Sequence, residues 1–217
     1  MASGGILVIN PNSNPEVTAG LREAVRGFVL PGGPAIDCVD LPEGPFGIES
    51  EADVAAVIPL LEARVRADPA DAFVIACYSD PGIEACRRAT TKPVFGIGES
   101  AMLTAMTRGR RFGVVAILEA AIPRHLRYIE RLGIERRLAT ERALELRVHE
   151  LADEGRTWDR LVEVATAVRE GDGADVVILG CAGMSRYRLR LELLLGAPVI
   201  DPTQAAVGMA FSAFCSA

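Results

Sequence analysis

The residues best suited to chemistry in this sequence are two of its five cysteines, Cys77 and Cys181. Each follows an apolar run that is typical of a buried strand, and each precedes small or turn-forming residues. Loops and helix N-termini at the carboxyl ends of parallel strands leave backbone N–H groups that can hold an oxyanion. One thiolate could remove a proton from a carbon next to a carbonyl while the second thiol protonates the opposite face. This chemistry predicts stereoinversion without a metal or organic cofactor.

An internal repeat sets these two cysteines apart from the others. The segment that ends at Cys77 recurs in the segment that ends at Cys181, at an offset of 104 residues (181 − 77). The other matching runs are 93–96 with 198–201, at an offset of 105 (198 − 93), and 5–8 with 113–116, at an offset of 108 (113 − 5). Three pairs at similar offsets indicate an old duplication that produced two similar lobes.

A cysteine at the end of a buried strand is more often a packing residue than a reactive group. The repeated position favours chemistry for Cys77 and Cys181, whereas Cys38 and Cys86 have no counterpart and are interpreted as packing residues. Cys215 is assigned no role. An odd number of irregularly spaced cysteines predicts reduced thiols in a cytoplasm. A helix N-terminus is expected to lower the pKa values of the Cys77 and Cys181 thiols below the ordinary value of about 8.5.

The pattern of apolar runs predicts an α/β fold of two pseudo-symmetric lobes, each a parallel sheet flanked by helices, with the active site in the cleft between them. Asn14 is expected to cap the first helix, with Pro15 at its first position. The lobes are predicted to comprise residues 1–95 plus 205–217 and residues 96–204. The predicted strands are 6–9, 72–76, 94–97, 112–118, 176–179 and 199–200, and the predicted helices are 16–29, 52–66, 123–132 and 157–170.

Charge and composition exclude several functional classes. The net charge of −6 argues against a nucleic-acid partner, which normally requires a basic face. No uncharged apolar run reaches the ~18 residues of a transmembrane helix, and the first five residues lack the basic region of a secretory signal. The two histidines, His125 and His149, have no partner at metal-ligand spacing, so neither a metal nor a cofactor is expected.

Five short blocks span nearly the whole chain: INPNS at 9–13, ACYSDPG at 76–82, GIGESA at 96–101, LGCAGM at 179–184 and PVID at 198–201. In this order they resemble the aspartate/glutamate/hydantoin racemase superfamily, and within it the hydantoin and allantoin racemases. The resemblance implies a cofactor-independent racemase that inverts a carbon acid next to a carbonyl. A 5-substituted hydantoin, allantoin or a related amino-acid derivative would be its small-molecule substrate, and a homo-oligomer its assembly.

The resemblance also implies which residues form the site. Cys77 and Cys181 would be the catalytic pair. Residues 10–14 equally fit a turn that begins a helix, and Glu99 equally fits a first-turn carboxylate favoured by the helix dipole. The expected substrate-binding residues are Asn10, Asn12, Ser13, Phe46, Ile48, Tyr78, Ser79, Glu99, Ala116, Ile117, Ala182, Gly183 and Met184.

Two segments depart from the hydantoin racemase pattern, and the role of a third has two interpretations. A pair of threonines is usual where Ala116 and Ile117 stand, so the cleft is expected to be more apolar there. Residues 44–50 also differ and fit either a lid over the cleft or a surface loop. Residues 122–125 could bring a cation toward a carboxylate, but the motif is more typical of an exposed helix start. Because no basic residue is evident beside either cysteine, a cyclic or neutral carbonyl substrate is favoured.

Other functions on the same scaffold stay open. They are an aspartate/glutamate-type amino-acid racemase, a maleate isomerase, which also has two cysteines, and a decarboxylase. The arylmalonate decarboxylases resemble this fold but keep only the second cysteine, so two cysteines favour inversion. A non-enzymatic two-lobed binding protein is the remaining alternative, although it would not need thiols at matching strand ends.

Overall fold

The computed structural model describes residues 5–216 as two four-stranded parallel sheets flanked by helices. The strands are β1 Gly5–Asn10, β2 Ala35–Asp40, β3 Ala72–Ile75, β4 Val94–Gly96, β5 Phe112–Ala116, β6 Leu138–Ala143, β7 Val176–Leu179 and β8 Val199–Ile200. The sheet orders are β2-β1-β3-β4 and β6-β5-β7-β8, so the second sheet repeats the first strand by strand. The predicted α/β fold with two similar lobes is confirmed.

The sequence prediction missed the edge strands β2 and β6. Cys38 is the one buried residue in β2, and β6 has none. The side chains of both edge strands are mostly half-buried or exposed, so these strands lack the continuous apolar run that marks a buried parallel strand. The predicted strand 112–118 is also too long, because β5 ends at Ala116.

The helices are α1 Pro15–Val25, α2 Glu51–Ala67, α3 Ile83–Ala89, α4 Ile97–Arg108, α5 Ile122–Leu132, α6 Glu154–Thr166, α7 Arg188–Leu195 and α8 Pro202–Cys215. Asn14 caps α1 as predicted, because its side chain accepts a hydrogen bond from the Glu16 N–H at 3.0 Å. The predicted stop of α5 at Gly133 is also confirmed, since this residue has a left-handed φ of 70°. Among residues 5–216, no helix is long and apolar enough to cross a membrane.

The two sheets exchange their last helices. Helix α4 follows β4 of the first sheet but packs against β5, β7 and β8 of the second. Helix α8 follows β8 and packs back against β1, β3 and β4, where Ala206, Val207 and Ala210 join the core of the first lobe. The two helices also contact each other. Each lobe therefore completes the core of the other, which fixes the relative position of the loops at the strand ends.

Candidate active site

The two predicted thiols occupy matching positions. Cys77 is the second residue after β3, and Cys181 is the second residue after β7, the counterpart of β3 in the other sheet. Both are half-buried and line one cavity of about 40 Å³. The other lining residues, drawn from both lobes, are Asn12, Val17, Ile48, Ala76, Tyr78, Ser79, Ile117, Ala121, Arg124, His125, Val148, Gly180 and Ala182.

Each sulfur is held by the backbone two residues further along the chain. The Ser79 N–H donates to Cys77, and the Gly183 N–H donates to Cys181 Sγ over 3.4 Å. Such bonds favour the thiolate, but burial opposes them and is the larger effect. Burial raises the pKa of Cys77 to about 12 and that of Cys181 to about 11. The expected lowering of both pKa values is therefore wrong, because desolvation between the two lobes outweighs the nearby donors.

Asp80 fixes the loop that carries Cys77. This buried residue has a left-handed φ of 45°, and its carboxyl accepts hydrogen bonds from the N–H groups of Gly98 at 2.9 Å and Glu99 at 2.7 Å. Burial raises the pKa of Asp80 to about 7, although the two N–H donors oppose the rise. The loop after β3 is thereby tied to the first turn of α4.

The glycines of the GIGESA block allow this close approach. A Cβ on Gly98 would overlap the Tyr78 carbonyl oxygen, and a Cβ on Gly96 would overlap the Asp80 carboxyl. Glu99 of the same block does not line the cavity. Its Oε2 accepts hydrogen bonds from Arg87 Nη2 at 2.8 Å and from the Tyr128 hydroxyl at 3.1 Å. The block therefore shapes and supports the Cys77 loop from outside the cavity.

The loop after β1 places one of its three predicted polar residues at the cavity. Asn12 lines it, whereas Asn10 and Ser13 do not. The buried Asn10 Nδ2 instead donates to Asn12 Oδ1 at 2.9 Å and to Thr18 Oγ1 at 3.0 Å. Asn10 therefore positions Asn12 against α1. The Ser13 N–H donates to the carbonyl of Pro45 at 3.0 Å, which joins this loop to residues 44–50.

Residues 44–50 form a bridge from the first lobe to the second. Gly47 packs closely against Val148, whose N–H donates to Glu49 Oε1 at 3.0 Å. Ile48 and Val148 both line the cavity, whereas Phe46 is 56% exposed and lies outside the lining. This segment is thus docked over the cavity wall.

Arg124 and His125 were not among the expected site residues, although a cation directed toward a carboxylate was one of the two interpretations of residues 122–125. The expectation of an exposed helix start is wrong, because both side chains are buried and both line the cavity. Arg124 Nε donates to Ser79 Oγ at 3.0 Å, and the Ser79 hydroxyl lies 2.9 Å from His125 Nε2. His125 Nδ1 pairs with the carboxyl of Glu141, whose side chain is 1% exposed. The statement that no basic residue accompanies the cysteines is therefore wrong as well.

The remaining predicted residues divide between the cavity and its surroundings. Tyr78, Ile117 and Ala182 line the cavity, and the lining also contains Val17, Ala121 and Val148. Three predicted residues lie outside the lining, namely Ala116, Gly183 and Met184. Within the described part of the chain, no three His, Cys, Asp or Glu side chains are grouped as metal ligands would be. The wall combines apolar side chains with polar groups from Asn12, Tyr78, Ser79, Arg124, His125 and the two thiols.

The two α/β lobes have the same strand order, and each contributes one thiol to the shared cavity. These features define a class of two-lobed α/β proteins with a pair of cysteines between the lobes. The family model described as Asp/Glu/Hydantoin racemase matches residues 6–210. The chain therefore belongs to the Asp/Glu/Hydantoin racemase family and is an isomerase, a racemase.

Individual relatives support this assignment. Hydantoin racemase of Rhizobium meliloti is 38% identical, with 94% of this chain and 86% of that protein covered. Hydantoin racemase of Paenarthrobacter aurescens is also 38% identical, with 95% and 89% covered. Among solved structures, allantoin racemase from Klebsiella pneumoniae matches with a TM-score of 0.90 at 32% identity, with 99% of this chain and 89% of that chain covered.

Proposed function

We propose that the chain is a cofactor-independent racemase of the hydantoin racemase type, acting on a carbon acid next to a carbonyl. The observation that carries this proposal is the position of Cys77 and Cys181 at equivalent strand ends on one cavity. The relatives named hydantoin racemase support a 5-substituted hydantoin, allantoin or a related amino-acid derivative as the substrate. The active site is then the cleft between the two lobes.

In the proposed mechanism the two thiols act on opposite faces of the substrate. One thiolate takes the proton from the substrate carbon, and the electron pair of the broken C–H bond moves toward the adjacent carbonyl oxygen. Asn12 and the Ser79 hydroxyl supply polar groups at the cavity for that developing charge. The second thiol then donates its proton to the opposite face, which leaves the inverted product and a thiolate on the other lobe.

Substrate binding requires the site to open. A cavity of about 40 Å³ has room for only a few water molecules and is too small for a substituted ring. Residues 44–50 form the part of the wall that bridges the lobes through Gly47 and Glu49. We therefore assign this segment the role of a lid that separates from Val148 to admit substrate.

Proton exchange in deuterated water tests the proposed function. We expect the purified chain to incorporate deuterium at the α-carbon of single-enantiomer 5-substituted hydantoins or allantoin and to remove their optical rotation. Free aspartate and glutamate serve as the comparison substrates. Exchange confined to the free amino acids would favour the amino-acid racemase alternative. Release of carbon dioxide would favour a decarboxylase, and isomerisation of maleate would favour a maleate isomerase. Absence of exchange on all of these compounds contradicts the proposal.

The pH profile of this exchange follows from the thiol pKa values. Burial raises the pKa values of Cys77 and Cys181 to about 12 and about 11, so both thiols are protonated at neutral pH. A racemase needs one thiolate and one thiol, and the active fraction therefore increases as the pH rises. We expect kcat/KM to increase about tenfold per pH unit between about pH 7 and pH 9. A profile that is already flat at pH 7 would show that a thiolate is preformed.

A further inference from the structure

Arg124 has two guanidinium nitrogens without a hydrogen-bond partner in the described structure. The residue is 8% exposed and lines the same cavity as the two thiols. Its Nε donates to Ser79, but Nη1 and Nη2 are buried and make no hydrogen bond among residues 5–216. The carboxylate of Glu51 lies 3.6 Å from Nη1, yet it is largely exposed and bonds to Arg127 Nη2 at 2.6 Å. Arg124 therefore retains donor capacity inside the cavity.

The guanidinium is also held in a fixed orientation. The Ser79 hydroxyl lies between Arg124 Nε and His125 Nε2, and the buried Glu141 carboxyl anchors the other nitrogen of that histidine. Ser79 is two residues after Cys77, so the arginine is attached to the loop that carries the thiol. A donor group that is already ordered loses little conformational freedom when a ligand binds.

The charge of this cavity is unbalanced. No Asp or Glu is among the lining residues in the described part of the chain, so Arg124 is not neutralised inside the cavity. The one nearby carboxylate, that of Glu51, is largely exposed and is shared with Arg127, so it compensates the buried charge only in part. A ligand of opposite charge inside the cavity lowers the remaining cost. The planar guanidinium fork matches a carboxylate, which can accept two parallel hydrogen bonds from it.

We propose that Arg124 binds a carboxylate of the substrate beside Cys77. This inference rests on the racemase function proposed above and narrows its substrate class to hydantoins and related amino-acid derivatives whose substituent carries a carboxylate. It replaces the expectation of a neutral ring, which depended on the absence of a basic residue at the cysteines. The pair Ser79 and His125 acts through Arg124 by holding its guanidinium.

Two alkylating reagents that differ by one carboxylate test the proposal. Iodoacetate and iodoacetamide both react by displacement of iodide by a thiolate, which forms a C–S bond, and the thiol proton goes to solvent. The rates at Cys77 and at the exposed Cys215 are followed by peptide mass spectrometry. We expect the iodoacetate-to-iodoacetamide rate ratio at Cys77 to exceed the ratio at Cys215 by about tenfold, as one charge-assisted contact would give.

Variants of Arg124 provide the matched comparison. Arg124→Gln is expected to reduce the ratio at Cys77 to that at Cys215, and Arg124→Lys to retain part of the preference because it keeps the charge. Using a ratio cancels any change in the reactivity of the thiol itself. Equal ratios at Cys77 and Cys215 in the unchanged chain would overturn the proposal, and so would a full preference in Arg124→Gln. Failure of both reagents to reach Cys77 would also overturn it.

The outcome is separable from the fate of the proposed function, because the reagents require no turnover. If the chain racemises none of the compounds but Cys77 still prefers iodoacetate, the result would support the carboxylate site at Arg124 and contradict the racemase proposal. Racemisation of neutral hydantoins, combined with equal iodoacetate-to-iodoacetamide ratios at Cys77 and Cys215, would support the racemase proposal and contradict the carboxylate site at Arg124. If Arg124→Gln does not fold, the ratio in the unchanged chain and in Arg124→Lys still decides the question.

Discussion

Replacing either Cys77 or Cys181 by alanine is expected to lower the rate of racemisation by about 10²–10⁴-fold, the usual contribution of one acid or base group. Inversion needs a base on one face and an acid on the other, and each variant keeps only one of them. Both cysteines line the same cavity from matching positions in the two lobes, so neither can substitute for the other. The rate is measured as loss of optical rotation from each enantiomer separately.

The same two variants should differ in how they exchange the α-proton. Cys77→Ala keeps the thiol of the second lobe and Cys181→Ala keeps that of the first, so each is expected to exchange deuterium into one enantiomer with retention. The preferred enantiomers should be opposite. Proton NMR combined with chiral chromatography distinguishes exchange from inversion.

A cysteine outside the cavity supplies the control. Cys215→Ser changes an exposed thiol at the end of α8 and should leave the rate unchanged. Circular dichroism spectra of all variants show whether the fold is intact. Parent rates in both alanine variants, or exchange of the same enantiomer by both, would contradict a mechanism with one thiol on each face.

The central part of the fold could be predicted because it depends on local composition. Strands β1, β3, β5 and β7 are buried on both faces and therefore have continuous apolar runs. The repeat of Cys77 at Cys181 was visible because β3 and β7, the strands that precede these cysteines, are both central. The edge strands β2 and β6 could not be found in this way, since their solvent-facing side chains remove the apolar run.

The polar part of the site could not be predicted, because it depends on contacts between distant segments. Arg124 and His125 are charged or polar residues at a helix start, which is usually an exposed position. They are buried here because Ser79 from the first lobe and Glu141 from β6 provide hydrogen-bond partners. Strand β6 was itself missed, so its carboxylate could not be placed. A buried histidine can be inferred from sequence only when its partner is known.

The prediction that both thiol pKa values are lowered was wrong for a related reason. A helix N-terminus or a free backbone N–H is a local feature, and it predicts a lowered thiol pKa. Burial of Cys77 and Cys181 arises instead from the closure of one lobe on the other. The loops at the strand ends of both lobes line one cavity, and α4 and α8, which are exchanged between the lobes, connect the two cores. Desolvation then raises both pKa values, which no local pattern would show.

Gly98→Ala is the substitution expected to damage the Cys77 loop most directly without touching either thiol. Alanine normally stabilises a helix relative to glycine by about 1 kcal/mol. At this position, however, the added Cβ would overlap the Tyr78 carbonyl oxygen and approach Asp80 Oδ2 to 3.1 Å. Neither can retreat easily, because Asp80 is held by the N–H groups of Gly98 and Glu99. We expect the free energy of unfolding to fall by about 1–3 kcal/mol, measured by urea denaturation.

Gly20→Ala is the matched control, because Gly20 lies inside helix α1 and a Cβ there would meet nothing within 4 Å. This variant should be more stable than the parent by about 0.5–1 kcal/mol, so the two glycine substitutions are expected to have opposite signs. Racemisation should fall in Gly98→Ala even well below its unfolding transition, since the displaced Tyr78 carbonyl moves Cys77 with it. Equal stabilisation by both substitutions would show that α4 does not constrain the loop that carries the first thiol.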